Sequence, residues 1–220
     1  MSAVKKGLII LLFSLSAILA AAQNNFFILY SPQYLINNQA KGSIGMFLNN
    51  KQCISFSPSS YFGTTKLYLE QRNSDENGRI PDAPNPDAIS GFGIDIEHQL
   101  YFRDTAMQIS FYASYGVGYN SLRLNYADFS WNPYTKNGLE YYHYSFGEHQ
   151  EEIIRWDLFI LLGSRFKSGA FVLQWFAGPV YKYSEITTTP VEDPRSQNNI
   201  LDFGFKGITL RIGGSFGFSF

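Results

Sequence analysis

Apolar and polar positions alternate along most of this chain, most regularly in its last fifteen residues. From Lys206 to Phe220 (KGITLRIGGSFGFSF) the even positions are mostly Ile, Leu or Phe, whereas the odd positions are mainly Gly, Ser, Thr or Arg. Because successive side chains of a strand point to opposite faces, this period of two predicts a strand with one apolar face and one small or polar face. Strands that face lipid on one side and a narrow lumen on the other have this pattern.

The same alternation recurs upstream and predicts eight strands. Their predicted ranges are 26–36, 42–48, 52–71, 90–103, 106–126, 153–166, 170–186 and 206–220. Within the third range the apolar parity changes, from Ile54 and Phe56 to Leu67 and Leu69. One extra residue in a β-bulge reverses the two faces of a strand, and Pro58 or Gly63 marks the expected position.

The connections between these strands fall into two classes. Those at 49–51, 103–105 and 167–169 are short, whereas those at 37–41, 72–87, 127–151 and 187–202 are longer. Short periplasmic turns and longer extracellular loops distinguish the two ends of an outer-membrane barrel. The pattern predicts an all-β fold, an eight-stranded antiparallel up-and-down transmembrane β-barrel with both termini on the periplasmic side.

The connection at 127–151 is the most aromatic. Its rings include Trp131, Tyr134, Tyr141, Tyr142 and Tyr144. An Asn-Gly pair at 137–138 is a strong hairpin signal, since both residue types accept a positive φ. We therefore predict an extracellular two-stranded aromatic ribbon.

The first 22 residues have the order of a secretory signal peptide. Lys5 and Lys6 precede the apolar stretch 7–19, and Ala20–Ala22 matches a small-x-small cleavage site. Domain organisation is predicted as a cleaved signal peptide, 1–22, followed by an outer-membrane barrel, 23–220. No other stretch has the run of about 20 apolar residues that a spanning helix needs.

Composition narrows the function classes. The formal net charge is -1, so no basic patch favours nucleic acid. A mean hydropathy of -0.13 argues against a helical membrane protein but suits a barrel, in which half of each strand is polar. The single cysteine, Cys53, excludes an intramolecular disulfide framework.

Charged residues recur at positions predicted to face the lumen. They are Asp95, Glu97, Arg103, Arg155, Asp157, Arg165, Lys182 and Arg211. An eight-stranded barrel has an interior that side chains nearly fill, and buried charges there must be paired. The favoured interpretation is a salt-bridged plug, and the alternative is a polar conduit for a small solute.

Histidines give little support to an enzyme or a metal centre. His143 and His149 fall in the aromatic connection near several glutamates, where solvated loop residues are the simpler interpretation. His98 falls at a lipid-facing position, which indicates a snorkelling side chain, a partner contact or an error of register. No catalytic residue, metal site or cofactor is predicted.

Four stretches resemble the small eight-stranded outer-membrane β-barrel proteins of Gram-negative bacteria, the OmpX/OmpW-like group. They are GFGIDIEHQLYF at 91–102, FYASYGVGYNSLRLNY at 111–126, RWDLFILLGSRF at 155–166 and RIGGSFGFSF at 211–220. The resemblance implies insertion by the barrel-assembly machinery, which would read Phe216, Phe218 and Phe220. It transfers no catalytic residue, because a barrel fold does not specify an activity.

Three functions follow as hypotheses. The first is a non-enzymatic structural or surface-interaction barrel whose ribbon contacts a partner, a glycan or lipopolysaccharide. The second is a narrow channel or carrier for a small solute, including a hydrophobic one, and the third is a lipid-modifying enzyme. Outer-membrane lipid, lipopolysaccharide and the assembly machinery are the expected partners, and the bacterial outer membrane is the expected location.

Overall fold

The regular alternation of the sequence becomes eight strands in the computed structural model. The structure describes residues 26–64, 88–103, 108–189, 200 and 202–220. The strands are β1 (Phe26–Tyr30), β2 (Gln39–Asn49), β3 (Gln52–Tyr61), β4 (Ala88–Tyr101), β5 (Ile109–Lys136), β6 (Leu139–Ser168), β7 (Phe171–Thr189) and β8 (Gly207–Ser219), with a 3-10 helix at Pro32–Asn37. The signal peptide predicted at 1–22 lies outside the described residues.

Each strand pairs with its neighbour in sequence, and β1 pairs with β8 to close the ring. All eight pairings are antiparallel. The start of the first strand meets the end of the last one, since the Phe220 backbone N–H donates to the Phe26 carbonyl at 2.8 Å. The predicted eight-stranded antiparallel barrel is therefore confirmed as a fold.

The first strand is shorter than predicted. It ends at Tyr30, and Pro32 starts a 3-10 helix that ends at Asn37. Asn38 caps the helix in the left-handed region, with φ of 55°. Proline fixes φ near -65° and has no N–H to donate to a ladder, which suits the first turn of a helix better than a paired strand. The next strand begins at Gln39, so the predicted loop 37–41 is largely strand.

The aromatic connection 127–151 is a ribbon, as predicted. β5 and β6 stay in one register from Ile109↔Phe166 to Lys136↔Leu139. Asn137 and Gly138 form the two-residue turn with φ of 55° and 79°, the positive pair that a type I′ hairpin requires. As a result, β5 extends well past the end of its pairing with β4, and β6 well past the end of its pairing with β7.

β3 keeps a continuous register with β4 from Gln52↔Leu100 to Tyr61↔Gly91, so no bulge occurs at Pro58. An irregularity lies instead in the β2–β3 pairing, between Phe47 and Asn49. The parity change predicted at Leu67 and Leu69 lies outside the described residues.

We call the part of the barrel from Phe26, Phe220 and the short turns up to the level of Ile154 the lower barrel, and the part from Glu152 to the ribbon the upper part. The two faces of the sheet differ in composition along the lower barrel. Large apolar side chains point outward and are exposed: Leu158 is 57% exposed, Leu162 63% and Ile208 70%. Asp95, Asp157 and other polar side chains point inward and are buried. Among the described residues, no helix is long and apolar enough to cross a membrane.

Candidate functional site: the charged interior and the aromatic ribbon

A chain of ion pairs crosses the middle of the barrel. Lys41 of β2 pairs with Asp95 of β4. The Arg211 guanidinium of β8 bridges two carboxylates, with Nη1 3.0 Å from Asp95 Oδ2 and Nη2 3.4 Å from Asp157 Oδ2. These residues are brought together because inward positions of non-adjacent strands face each other across a narrow ring.

Arg155 extends this network toward the upper end. Its Nε lies 3.1 Å from Asp157 Oδ1, its Nη2 donates to the Tyr61 hydroxyl at 3.3 Å and its Nη1 donates to the Phe203 carbonyl at 3.0 Å. Tyr61 in turn donates to Asn120 Oδ1 at 2.8 Å, and Asn120 Nδ2 donates to Asp157 Oδ2 at 3.3 Å. Multiple partners on each ion offset the cost of removing these charges from water.

The remaining predicted lumen residues occupy different places. Glu97 faces the interior and accepts from Gln99 Nε2 at 3.2 Å. Lys182 lies directly across the β6–β7 pairing from Asp157. Arg103 is a correction: β4 ends at Tyr101, so Arg103 lies beyond the strand, is exposed and belongs to no interior cluster.

Arg165 lies apart from the ion-pair network, near the lower end. Its guanidinium carbon is 5.1 Å from the Phe27 ring centroid and 4.5 Å from that of Phe47. Aromatic faces stabilise a desolvated cation through their quadrupole. This arginine is therefore held mainly by rings rather than by a carboxylate.

Sequence reasoning missed Lys41, Tyr61 and Asn120 as members of the network. The sequence pattern predicts a loop at 37–41, which includes Lys41, and the two neutral residues carry no charge that would mark them as members of an ionic network. A signal existed for Lys41, since it shares the odd parity of Ser43 and Gly45 in the following strand. Extending the predicted strand backward by one residue, from Gly42, would have placed it inside.

A small cavity of about 30 Å³ lies beside the ion pairs. Its lining includes Lys41, Ser57, Asp95, Glu97, Arg211 and Ser215. A space of that size accommodates a few water-sized groups. It does not provide a continuous pore.

Apolar side chains fill the interior above and below the charged layer. The upper cluster comprises Tyr61, Ile89, Leu122, Leu124, Tyr126 and Ile153, with Ile186 and Phe203 packed against it. The lower cluster comprises Phe27, Leu29, Cys53, Tyr101, Tyr112 and Val172, with Phe47 alongside. A third cluster, Phe159, Leu161 and Val180 with Phe176 alongside, lies beside the ion pairs, since the Arg211 guanidinium carbon is 4.5 Å from the Phe159 ring centroid.

The histidines differ from expectation in one case. His149 is buried, not solvated, and its ring stacks on Tyr126 at 5.4 Å between centroids. His98 faces outward in the predicted register, and its Nδ1 lies 2.8 Å from the Tyr115 hydroxyl. The side chain of His143 lies outside the described part. No group of three or more His, Cys, Asp or Glu residues within the described ranges is placed to hold a metal ion.

The ribbon presents exposed rings at its tip. Tyr134 and Tyr141 stack with centroids 5.5 Å apart, and Tyr142 is exposed. The side chains of Trp131 and Tyr144 lie outside the described part, although their backbones pair with each other. At the opposite end, Phe216, Phe218 and Phe220 are exposed on the outer face.

No protein-family model matches the chain, and no curated protein shows a significant match. Among solved structures, the N-terminal β-barrel domain of Pseudomonas aeruginosa OprF matches with a TM-score of 0.41 and 14% identity, over 90% of this chain and 98% of that one. Acinetobacter baumannii CarO matches with a TM-score of 0.37 and 7% identity, over 91% of this chain and 99% of that one. Neither similarity bears on function at these values, and the ring rests on this chain's own strand pairing.

Proposed function

We propose that this chain is a non-enzymatic β-barrel of the bacterial outer membrane, with a structural or surface-interaction role. The observation that carries the proposal is the distribution of polarity: an exposed apolar exterior surrounds a charged interior. A water-soluble barrel of this size would bury its large apolar side chains, since extensive exposed apolar surface costs free energy in water. Lipid removes that cost on the outer face.

The height of the apolar exterior supports the same setting. On β6, outward residues are apolar from Ile154 to Leu162, followed by Ser164 and Phe166. At about 3.3 Å per residue and a tilt of about 40°, the segment 154–166 rises about 30 Å. This is about the thickness of a bilayer's hydrocarbon core.

The filled interior favours a structural role over a channel. Ion pairs and three apolar clusters occupy the interior, and the cavity beside the ion pairs measures about 30 Å³. Opening a conduit would require breaking buried ion pairs, at several kcal/mol for each uncompensated charge.

The ribbon tip is the surface proposed to meet an external partner. Exposed tyrosines combine an apolar ring with a hydroxyl and lose little conformational entropy on binding, which suits a protein, a glycan or lipopolysaccharide.

The outward aromatics Phe216, Phe218 and Phe220 are the proposed recognition signal for the barrel-assembly machinery. Deleting Phe220 should accordingly lower the yield of folded protein in the outer membrane.

Heat-modifiability on a detergent gel tests the barrel in its membrane setting. Membrane-extracted protein should migrate as a compact form that shifts on boiling, because a closed barrel resists detergent until it is heated. Protein that shows no shift and fractionates with soluble periplasmic proteins would refute the proposal.

Protease added to intact cells should then cut near Arg79 or Arg195, in loops predicted on the outer side. Cleavage only after membrane disruption would reverse the topology.

A further inference from the structure

An ionisable side chain lies on the outer face of the lower barrel. His98 of β4 pairs in register with Ile54 of β3 and Tyr115 of β5, and both of these neighbours are exposed. Below the level of Ile154, the outward side chains of the described strands include no other Asp, Glu, Lys, Arg or His. Ionisable residues inside a membrane are rare and almost always meet a polar partner.

His98 lies deep within the apolar exterior. The pairing aligns His98 with Tyr115 and Tyr115 with Ile160, the midpoint of the segment 154–166. With strands about 4.8 Å apart and tilted by about 40°, two steps across the sheet change the height by about 6 Å. The pair is therefore about 9 Å or more from either edge of a hydrocarbon core about 30 Å thick. The imidazole is too short to reach a lipid headgroup from there.

Hydrogen bonding between His98 and Tyr115 leaves one donor over. His98 Nδ1 lies 2.8 Å from the Tyr115 hydroxyl oxygen, whereas Nε2 is buried and has no partner among the described residues. A neutral imidazole and a tyrosine together carry two donor hydrogens, and the bond between them uses one. If Tyr115 donates to Nδ1, the ring hydrogen remains on Nε2 without an acceptor. If Nδ1 donates to Tyr115, the hydroxyl hydrogen has none, and an unpaired donor is costly in hydrocarbon.

The Tyr115 hydroxyl is the group of this pair that can meet an outside partner. Tyr115 is 53% exposed, whereas His98 Nε2 is covered by the barrel itself. The exposed side chains around the pair are aliphatic: Ile54, Ile96, Leu100, Val117 and Ile160. Membrane-spanning segments associate through close packing and hydrogen bonds, because lipid tails give no hydrophobic drive between them. An aliphatic surface with one polar group at its centre has both components.

We propose that this surface, the β4–β5 patch, is where two copies of the barrel associate within the membrane. Lipid tails offer no acceptor at this depth, whereas a second copy brings its own Tyr115 oxygen, which has a second lone pair to accept a hydrogen bond. The contact is isologous, because the same patch of each copy meets the other across a two-fold axis. This inference rests on the membrane setting of the proposed function.

Energy transfer between labelled barrels in lipid vesicles tests the association. Ser168→Cys in a Cys53→Ser background places one dye on an exposed turn of each copy. Energy transfer should rise with protein density and saturate. Tyr115→Phe removes the hydroxyl but keeps the ring, and it should raise the half-maximal density about three- to tenfold, as expected for one or two hydrogen bonds within a bilayer. The matched control is Tyr30→Phe on β1, nearly opposite in the ring, which should leave that density unchanged.

The outcomes separate this interface from the membrane assignment. An unchanged half-maximal density in Tyr115→Phe, or no energy transfer above random proximity before that substitution, would overturn the two-copy interface alone if the protein floats with vesicles. Protein that fails to float would refute the membrane assignment itself.

A photo-crosslinking residue in place of Ile96 tests the identity of the partner in cells. Ile96 is 49% exposed and lies beside the His98–Tyr115 pair. The expected product has twice the mass of the chain. A product that contains only a different protein would show that another partner covers the β4–β5 patch, and would overturn the two-copy interface.

Discussion

The lower and upper parts of β5 and β6 have opposite polarity on the same two faces. In the lower part, Leu158 is exposed outside, whereas Asp157 is buried inside. In the upper part, Leu124 is buried inside, whereas Arg123 and Glu152 are exposed outside and pair at 2.8 Å. The strands keep one register throughout, so no bulge causes the reversal.

The proposed membrane setting explains the reversal, because the surrounding solvent and not the strand then selects which face is apolar. Side chains that face lipid are apolar, and the enclosed face takes the polar groups. Where the strands extend into water, the outward side chains are polar, as in a soluble barrel. The change between Ile154 and Glu152 therefore marks the expected outer boundary of the hydrocarbon core.

The largest expected effect comes from breaking the charged layer of the lower part. Asp157→Ala leaves Arg155 and Arg211 without a shared carboxylate in a buried setting. Loss of one partner of a buried ion pair costs about 3–5 kcal/mol of unfolding free energy. Denaturant unfolding of the protein in lipid vesicles measures this loss of unfolding free energy.

The matched control is Glu152→Ala, which removes the exposed pair with Arg123 in the upper part. Solvent-exposed pairs contribute about 0–1 kcal/mol. Equal losses from the two substitutions would mean that the Asp157 cluster is solvated, contrary to its burial in the structure.

Sequence patterning recovered the fold because an apolar outer face and a narrow polar interior impose the period of two on nearly every strand. It failed where local chemistry overrode that period. Pro32 ends β1 early although Tyr34 and Ile36 continue the alternation. The sequence pattern also predicted that Arg103 faces the interior, because alternation alone gives no signal that β4 ends at Tyr101.

The interior site was recovered less completely than the fold. Periodicity identified most of the charges that face inward, but not that Arg211 joins Asp95 to Asp157 or that Arg165 contacts two rings. Those partners lie on strands distant in sequence, and their contacts depend on the register around the whole ring. The short β1–β8 pairing, from Phe27↔Ser219 to Tyr30↔Phe216, was likewise not predictable, since it follows from strand register rather than from composition.

A charge placed on the outer face distinguishes the two parts directly. Leu158→Arg should cost about 2–4 kcal/mol of unfolding free energy in vesicles, the expected penalty for arginine near the bilayer midplane. Asn125→Arg, on the outer face of the upper part, should stay within about 0.5 kcal/mol, as exposed surface substitutions do. A similar cost at both positions would contradict the boundary placed near Glu152.

The smallest expected effect is confined to the ribbon tip. At Gly138 φ is 79° and an added Cβ meets no atom within 4 Å, so Gly138→Ala adds backbone strain without a clash. A left-handed conformation costs a residue with a Cβ about 1–2 kcal/mol, although Asn tolerates it better. Hydrogen exchange of the ribbon amides should therefore accelerate about 5–30-fold in Gly138→Ala, while Gly138→Asn stays near the parent. Exchange in the lower barrel should not change, because the ion pairs and apolar clusters there are independent of the tip. Faster exchange throughout the barrel would show that the ribbon and the lower part unfold as one unit. The change of polarity between the two parts would then not separate two independently stable regions.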